Sequence, residues 1–269
     1  MKKAMLRLLR MAAMVGGGLI LVMAGCQRNM MYYPTQCSEA EAVRQAAPDG
    51  LVPWRAAEGE LIGWRRADAP EAGDALLVFH GNAGFAAHRG YFAHGFAPHM
   101  AVFLFEYPGY GSRPGRPSEA RFAEAAAAAL AQLRAERKGR IFVAGESIGT
   151  GVACGLAARH PEDIAGLFLV TPFTRLVEVG RTHYPLLPVG LFLRDRYENA
   201  AHLRGYRGPV AFLVAGRDEV IPARLGLALH EGYAGPKRLW VQPEQGHNTL
   251  DYSPRNAWWR EVAEFMQGE

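Results

Sequence analysis

Ile141-Phe142-Val143-Ala144-Gly145-Glu146-Ser147-Ile148-Gly149-Thr150-Gly151 is the stretch that decides the fold. An unbroken apolar run, Ile141 to Ala144, gives way to Gly-x-Ser-x-Gly, and small residues follow. The run predicts a strand buried on both faces. Ser147 to His160 predicts a helix rich in small side chains. A chain that turns from strand to helix this sharply crowds its own backbone. The positions two before and two after the serine must therefore be small. The turn strains Ser147 and lifts its hydroxyl above the sheet. It also aims the Ile148 N–H and the helix N-terminus at one point, where an oxyanion would form. A Gly/Ser turn arising by chance is the competing reading, and the strand before and helix after weigh against it.

The same alternation extends in both directions. Ala75–Phe79, Ala101–Phe105, Gly166–Val170, Val210–Val214 and Lys237–Val241 read as further strands. Helical patterns lie between them: Glu119–Glu136 capped by Ser118, then Pro222–Tyr233 and Pro254–Met266. Strand and helix in turn predict an α/β fold with a mainly parallel central sheet covered on both faces. No internal repeat and no second domain boundary interrupt it. Ligands of such sheets bind beyond the carboxyl ends of the strands, so candidate residues are sought there.

Phe79-His80-Gly81-Asn82-Ala83-Gly84 leaves an earlier strand end. Gly81 lets the backbone come close, and the Asn82 N–H is the expected second oxyanion donor, with orientation of the loop as the alternative role of its side chain. His80 sits at the strand end and is expected to brace this loop rather than to catalyse. A serine hydroxyl needs a positioned base. Serines on this kind of turn are followed along the chain first by the acid and then by the histidine. Asp218, just past Val210–Val214, is the candidate acid; Glu219 beside it is expected to point elsewhere. Asp195 and Asp251 break the order. His247, in a loop after Gly246 and ahead of the last helix, is the candidate base, and the other eight of nine histidines fit less well. His247 would take the Ser147 proton, and Asp218 would hold the ring in its tautomer. No residue spacing calls for a metal or an organic cofactor.

The first 25 residues stand apart. They carry Lys2, Lys3, Arg7 and Arg10 and no acid, then an apolar stretch from Met11 to Ala24. The whole chain has 30 basic and 26 acidic residues, so the remainder is formally neutral. A basic nucleic-acid footprint is therefore absent. Met23-Ala24-Gly25-Cys26 resembles the bacterial lipobox, with Met where Leu is usual. The resemblance implies a cleaved signal over 1–25, a lipid on Cys26 and a domain held to a membrane on the periplasmic or extracellular side of the cell envelope. An uncleaved anchor with an incidental Cys26 is the alternative. Residues 26–59 are expected as a tether and entry segment and 60–269 as the domain. Cys37 and Cys154 could pair in an oxidising compartment, but Cys154 is better read as a small buried residue of the helix after Ser147.

Several motifs recur in a familiar order: Met31-Tyr32-Tyr33-Pro34, the His80-Gly81-Asn82 loop, Glu106-Tyr107-Pro108-Gly109-Tyr110-Gly111-Ser112, Gly145–Gly149, Thr171-Pro172-Phe173 and Gly216-Arg217-Asp218. Over roughly residues 60–267 the chain resembles the α/β-hydrolase superfamily. More narrowly it resembles a branch of serine hydrolases with a membrane-tethered N-terminus that includes eukaryotic protein depalmitoylases. The resemblance implies cleavage of an ester or thioester in a small-molecule or acylated substrate. A peptidase or amidase on the same residues, or an envelope lipoprotein without catalysis, are the alternatives. It also implies that the Tyr107–Gly111 loop lies beside the site and that residues 173–205 form a short cap. That cap is apolar, which suits an acyl chain as well as it suits ordinary packing.

Overall fold

Five segments with apolar character bury themselves side by side, and the rest of the chain covers them. The computed structural model describes residues 2–268. In chain order its elements are α1 (Lys2–Met31), β1 (Tyr33–Pro34), α2 (Glu39–Ala46), β2 (Leu51–Arg55), β3 (Leu61–Arg66), β4 (Ala75–Phe79) and β5 (Ala83–Gly84). Then come α3 (Gly90–Phe96), β6 (Ala101–Phe105), α4 (Glu119–Glu136), β7 (Ile141–Glu146), α5 (Gly149–Arg159) and β8 (Gly166–Val170). The cap holds α6 (Leu176–His183), α7 (Val189–Phe192) and α8 (Asn199–His202), and β9 (Val210–Ala215), α9 (Ala223–Gly232), β10 (Lys237–Gln242) and α10 (Trp258–Gln267) close the chain.

The eight-stranded sheet runs β10-β9-β8-β7-β4-β6-β3-β2. Pairing is parallel from β10 to β6 and antiparallel at β6–β3 and β3–β2. Every residue of β4, β6, β8 and β9 is buried, which is why these strands read as continuous apolar runs. At about 1.5–3 kcal/mol for each large side chain withdrawn from water, this central block supplies much of the driving force. On one face α3 packs against α10; on the other α5 packs against α4 and α8. The expected two-sided α/β arrangement is what forms.

Strand β4 is flanked by β6 on one side and β7 on the other. The chain thus proceeds outward from β4 in one direction and then resumes on its opposite side. A crevice opens at the carboxyl ends where the direction reverses, between the end of β4 at Phe79 and the end of β7 at Glu146.

The expected tether over 26–59 is corrected. α1 continues through Cys26 to Met31, β1 pairs with β5, and β2 is the outermost strand of the main sheet. Pro53 cannot donate to a ladder and is tolerated because β2 is an edge. Trp54 is buried, meets Phe103 edge-on at 5.0 Å and donates from Nε1 to Glu136 at 3.2 Å. The packed body therefore takes in residues well before 60. The Ser118 cap forms as expected, its Oγ accepting the Arg121 N–H at 3.3 Å. The last helix starts at Trp258 instead of Pro254, because residues 254–257 are spent on a turn. Cys26, Cys37 and Cys154 are all outside disulfides; Cys154 is buried, and burial pushes its thiol up. Among the described residues no helix is long and apolar enough to cross a membrane.

Candidate active site

The turn after β7 is as tight as its sequence requires. Ser147 takes φ +55°, a left-handed conformation that costs a non-glycine residue about 1–3 kcal/mol. A Cβ on Gly145 would lie 2.4 Å from the Gly149 carbonyl oxygen, and one on Gly149 would lie 2.2 Å from the Phe79 carbonyl oxygen. Both positions are closed to any side chain. The strained turn is held by the Ser147 N–H donating to the Val170 carbonyl at 2.9 Å, and by the Thr150 N–H and hydroxyl donating to the Ser147 carbonyl at 2.9 and 2.6 Å.

His247, in the loop after β10, places Nε2 3.0 Å from Ser147 Oγ and Nδ1 2.8 Å from Asp218 Oδ2. An ionised carboxylate only accepts, so Nδ1 carries the proton and donates to Asp218. Nε2 is then left with its lone pair toward the serine, whose O–H donates to it. Asp218 sits just beyond β9 with its side chain 1% exposed. Its other oxygen, Oδ1, accepts the N–H groups of Val220 at 2.9 Å and Ile221 at 2.6 Å. Glu219 makes no hydrogen bond to the ring. Its carboxylate accepts the His247 backbone N–H at 3.2 Å and so holds the loop. The backbone N–H groups of Glu219 itself and of His247 lower its pKa. Asp195 and Asp251 take no part in this chain of contacts: Asp195 lies beneath the cap, and Asp251 accepts from the Ser253 N–H.

The His80–Gly84 loop faces the same point. A Cβ on Gly81 would come within 3.6 Å of Ser147 Cβ, so the loop passes directly beside the serine. Among the described residues neither the Asn82 N–H nor the Ile148 N–H has an acceptor. The Asn82 side chain does orient the loop, donating to the Met31 carbonyl at 2.8 Å. The Asn82 carbonyl accepts from the Tyr33 N–H and the Tyr110 hydroxyl, each at 2.9 Å. His80 is a brace: its Nδ1 donates to the Gly81 carbonyl at 2.7 Å, and the Tyr107 hydroxyl donates to the His80 carbonyl at 3.0 Å. Tyr107 and Tyr110 thus support the loop from beneath. Sequence placed their Gly-rich segment beside the site but gave no sign of these two hydroxyl bonds.

The model of the α/β-hydrolase fold family matches residues 74–197. An uncharacterized protein of Mycobacterium tuberculosis is 38% identical over 246 residues, covering 88% of this chain and 85% of its own. Protein bem46 of Schizosaccharomyces pombe is 31% identical over 211 residues, covering 75% and 70%. The chain belongs to the α/β-hydrolase family. Among solved structures, an esterase of Pyrococcus furiosus superposes with a TM-score of 0.63 over 88% of this chain and 98% of its own, at 16% identity. At that identity the likeness speaks for the fold.

Two further features of this α/β hydrolase were not legible in sequence. Glu146, the residue before the serine, is paired with Arg89 at 2.9 Å, each side chain only 15% exposed. Burial pushes the Glu146 carboxyl up, but the Arg89 guanidinium and its hydrogen bond more than offset that and leave it below the usual range. A second pair joins the chain's beginning to the cap. Arg28 donates to both oxygens of buried Asp195 at 3.0 Å, and the Tyr32 hydroxyl donates to the same carboxylate at 3.0 Å. Gln27 adds a bond to the Phe192 carbonyl at 3.0 Å and one from the Arg194 N–H at 2.7 Å. Between α1 and the cap helices α6 and α7 lies a cavity of about 350 Å³ whose lining includes Asn82 and Val220. Among the described residues no His, Cys, Asp and Glu side chains converge as a metal site requires.

Proposed function

We propose that this hydrolase cleaves carboxylic esters or thioesters through an acyl-enzyme on Ser147. The observation that carries the reading is the continuous contact Ser147 Oγ–His247 Nε2 at 3.0 Å and His247 Nδ1–Asp218 Oδ2 at 2.8 Å. The Ser147 proton passes to His247 Nε2 as Oγ attacks the substrate carbonyl carbon. The carbonyl oxygen becomes an oxyanion and accepts the Asn82 and Ile148 N–H groups, which have no other acceptor. Collapse breaks the bond to the leaving group, and His247 returns its proton to that oxygen or sulfur. Water then repeats the sequence and releases the acid. Asp218, already holding Nδ1–H, stabilises the imidazolium in both halves. An oxygen or sulfur leaving group asks less of His247 than an amine does, and the resemblance to depalmitoylases favours the thioester end of the range.

Cys26 belongs to the same proposal as a lipid attachment site, supported by the Met23-Ala24-Gly25-Cys26 sequence behind a basic and apolar leader. It would hold the enzyme on a membrane of the cell envelope, outside the cytoplasm. A fluorophosphonate probe should label the wild-type protein and not Ser147→Ala. A panel of p-nitrophenyl esters, S-acyl peptides and aminoacyl anilides then ranks ester, thioester and amide. Labelling that persists in Ser147→Ala would refute the nucleophile, and no labelling of the wild type would favour a non-catalytic lipoprotein. Mass measurement of the N-terminal peptide from membranes tests the lipid.

A further inference from the structure

We infer that the cavity between α1 and the cap is the acyl-chain subsite, and that the segment just after Cys26 is one of its walls and a determinant of chain length. The inference rests on the hydrolase reading above and goes beyond it by naming what the enzyme holds and with which residues.

Three observations carry it. The first is position. The lining includes Asn82, whose N–H has no acceptor among the described residues, and Val220, whose N–H holds Asp218. A chain lying in the cavity is therefore next to the loop that carries one proposed oxyanion donor and next to a residue that holds the candidate acid. The second is chemistry. The cavity's volume, about 350 Å³ with Met23 and Ala24 of the leader in its wall, falls in the range of roughly 300–1,000 Å³ usual for ligand sites; cleavage before Cys26 would remove those two and leave Gln27, Met30 and Met31 as the α1 wall. Its lining contains no carboxylate, Lys or Arg. Most polar side chains that line it are spent on the protein: Gln27 on Phe192 and Arg194, His183 on the Val220 carbonyl at 2.8 Å, Asn82 on Met31 and Tyr33 on the Met30 carbonyl, while the exposed Tyr184 keeps a hydroxyl for solvent. What the lumen offers is aliphatic, from Met31 on one wall and Val189 on the other. An apolar chain there strands none of the bonded side chains, and the Tyr184 hydroxyl belongs to an exposed residue that water can reach. The third is fixity. Gln27, Arg28 and Tyr32 tie this wall to residues 192–195, so Met31 is part of a set surface rather than a loose end.

The expected behaviour follows from burial of methylenes. At about 0.8 kcal/mol for each one withdrawn from water, two added carbons should raise kcat/KM up to about fifteen-fold until the cavity is full. Met31→Trp and Val189→Trp fill it from opposite walls. The test uses the full chain in detergent with p-nitrophenyl acetate and decanoate. The decanoate-to-acetate ratio of kcat/KM is expected to fall at least ten-fold in both variants, with circular dichroism reporting that each is folded. A second readout needs no turnover: Ser147→Ala should bind decanoate by isothermal titration calorimetry, and Ser147→Ala carrying Val189→Trp should not. A ratio that stays within two-fold of wild type in the folded variants, or decanoate binding that survives the filling, overturns the inference. Loss of decanoate binding on filling, in a protein that cleaves no ester at all, would uphold the subsite and sink the hydrolase reading instead.

Discussion

Replacing Asp218 with Asn separates orientation from charge at the centre of the proposed mechanism. Asp218 Oδ1 accepts two backbone N–H groups, from Val220 and Ile221, at 2.9 and 2.6 Å. An amide must put its single oxygen there, because its NH₂ would meet two donors. The NH₂ group is then turned on His247 Nδ1, 2.8 Å away. That nitrogen must accept, so the ring proton moves to Nε2, which faces the Ser147 hydroxyl with a donor in place of a lone pair. The base is lost although its geometry is kept. A wrong-tautomer substitution of this kind costs about 10⁴ in kcat, or about 5.4 kcal/mol. The backbone bonds survive, so the thermal midpoint should move little. The assay is kcat/KM on a short p-nitrophenyl ester beside a melting curve. Activity above about one tenth of wild type, with the protein folded, would refute the role given to Asp218. Glu219→Gln is the control: its carboxylate meets backbone N–H groups, its own and that of His247, and its loss should cost no more than about 1 kcal/mol, roughly five-fold.

Other substitutions probe the frame. Gly149→Ala puts a methyl group 2.2 Å from the Phe79 carbonyl oxygen; it should cost more than about 3 kcal/mol of stability and abolish soluble, active protein, and an active, wild-type-stable variant would contradict the packing described. Arg89→Met strands Glu146 without its partner and should lower stability at neutral pH by about 3 kcal/mol. Because Arg89 holds the folded Glu146 carboxyl below its ordinary 4.5, that stabilisation is present above this pH and is lost as pH falls through the folded value. The gap between wild type and Arg89→Met in chemical denaturation should therefore close below about pH 4.5. Tyr110→Phe removes the hydroxyl from the Asn82 carbonyl; about 1 kcal/mol of stability should go, with kcat falling more than KM rises, and a change confined to KM would argue that the loop does not serve the transition state.

The central strands were legible because burial on both faces leaves one signature, an apolar run without alternation. Ala75–Phe79, Ala101–Phe105 and Gly166–Val170 carry it and form at those residues. Leu51–Arg55 does not, since an edge strand answers to only one neighbour and can hold Pro53. The order Ser147, Asp218, His247 was legible because each residue follows a strand, and a parallel sheet gathers its carboxyl ends. What sequence could not display was contact across long separations. Arg28 and Asp195 lie 167 residues apart, and nothing local to either names the other. Asp195 was set aside because it breaks the chain order; its burial under Arg28 and Tyr32 gives the reason it is an acid at all.

The Gln27–Arg28–Tyr32 clasp bears on how far this enzyme can reach. A lipid on Cys26 would leave the chain one residue ahead of the clasp, with no slack between membrane and fold. Anchors on long linkers let a catalytic domain sample a wide hemisphere of solvent. Here the domain would sit like an instrument bolted to a bench, its orientation to the bilayer set by the cap. Leu186, 94% exposed, and Leu191, 78% exposed, belong to that same cap. An enzyme mounted this way would work on what the membrane surface brings to it, within a few ångströms, and substrates free in solution would have to come to the bench.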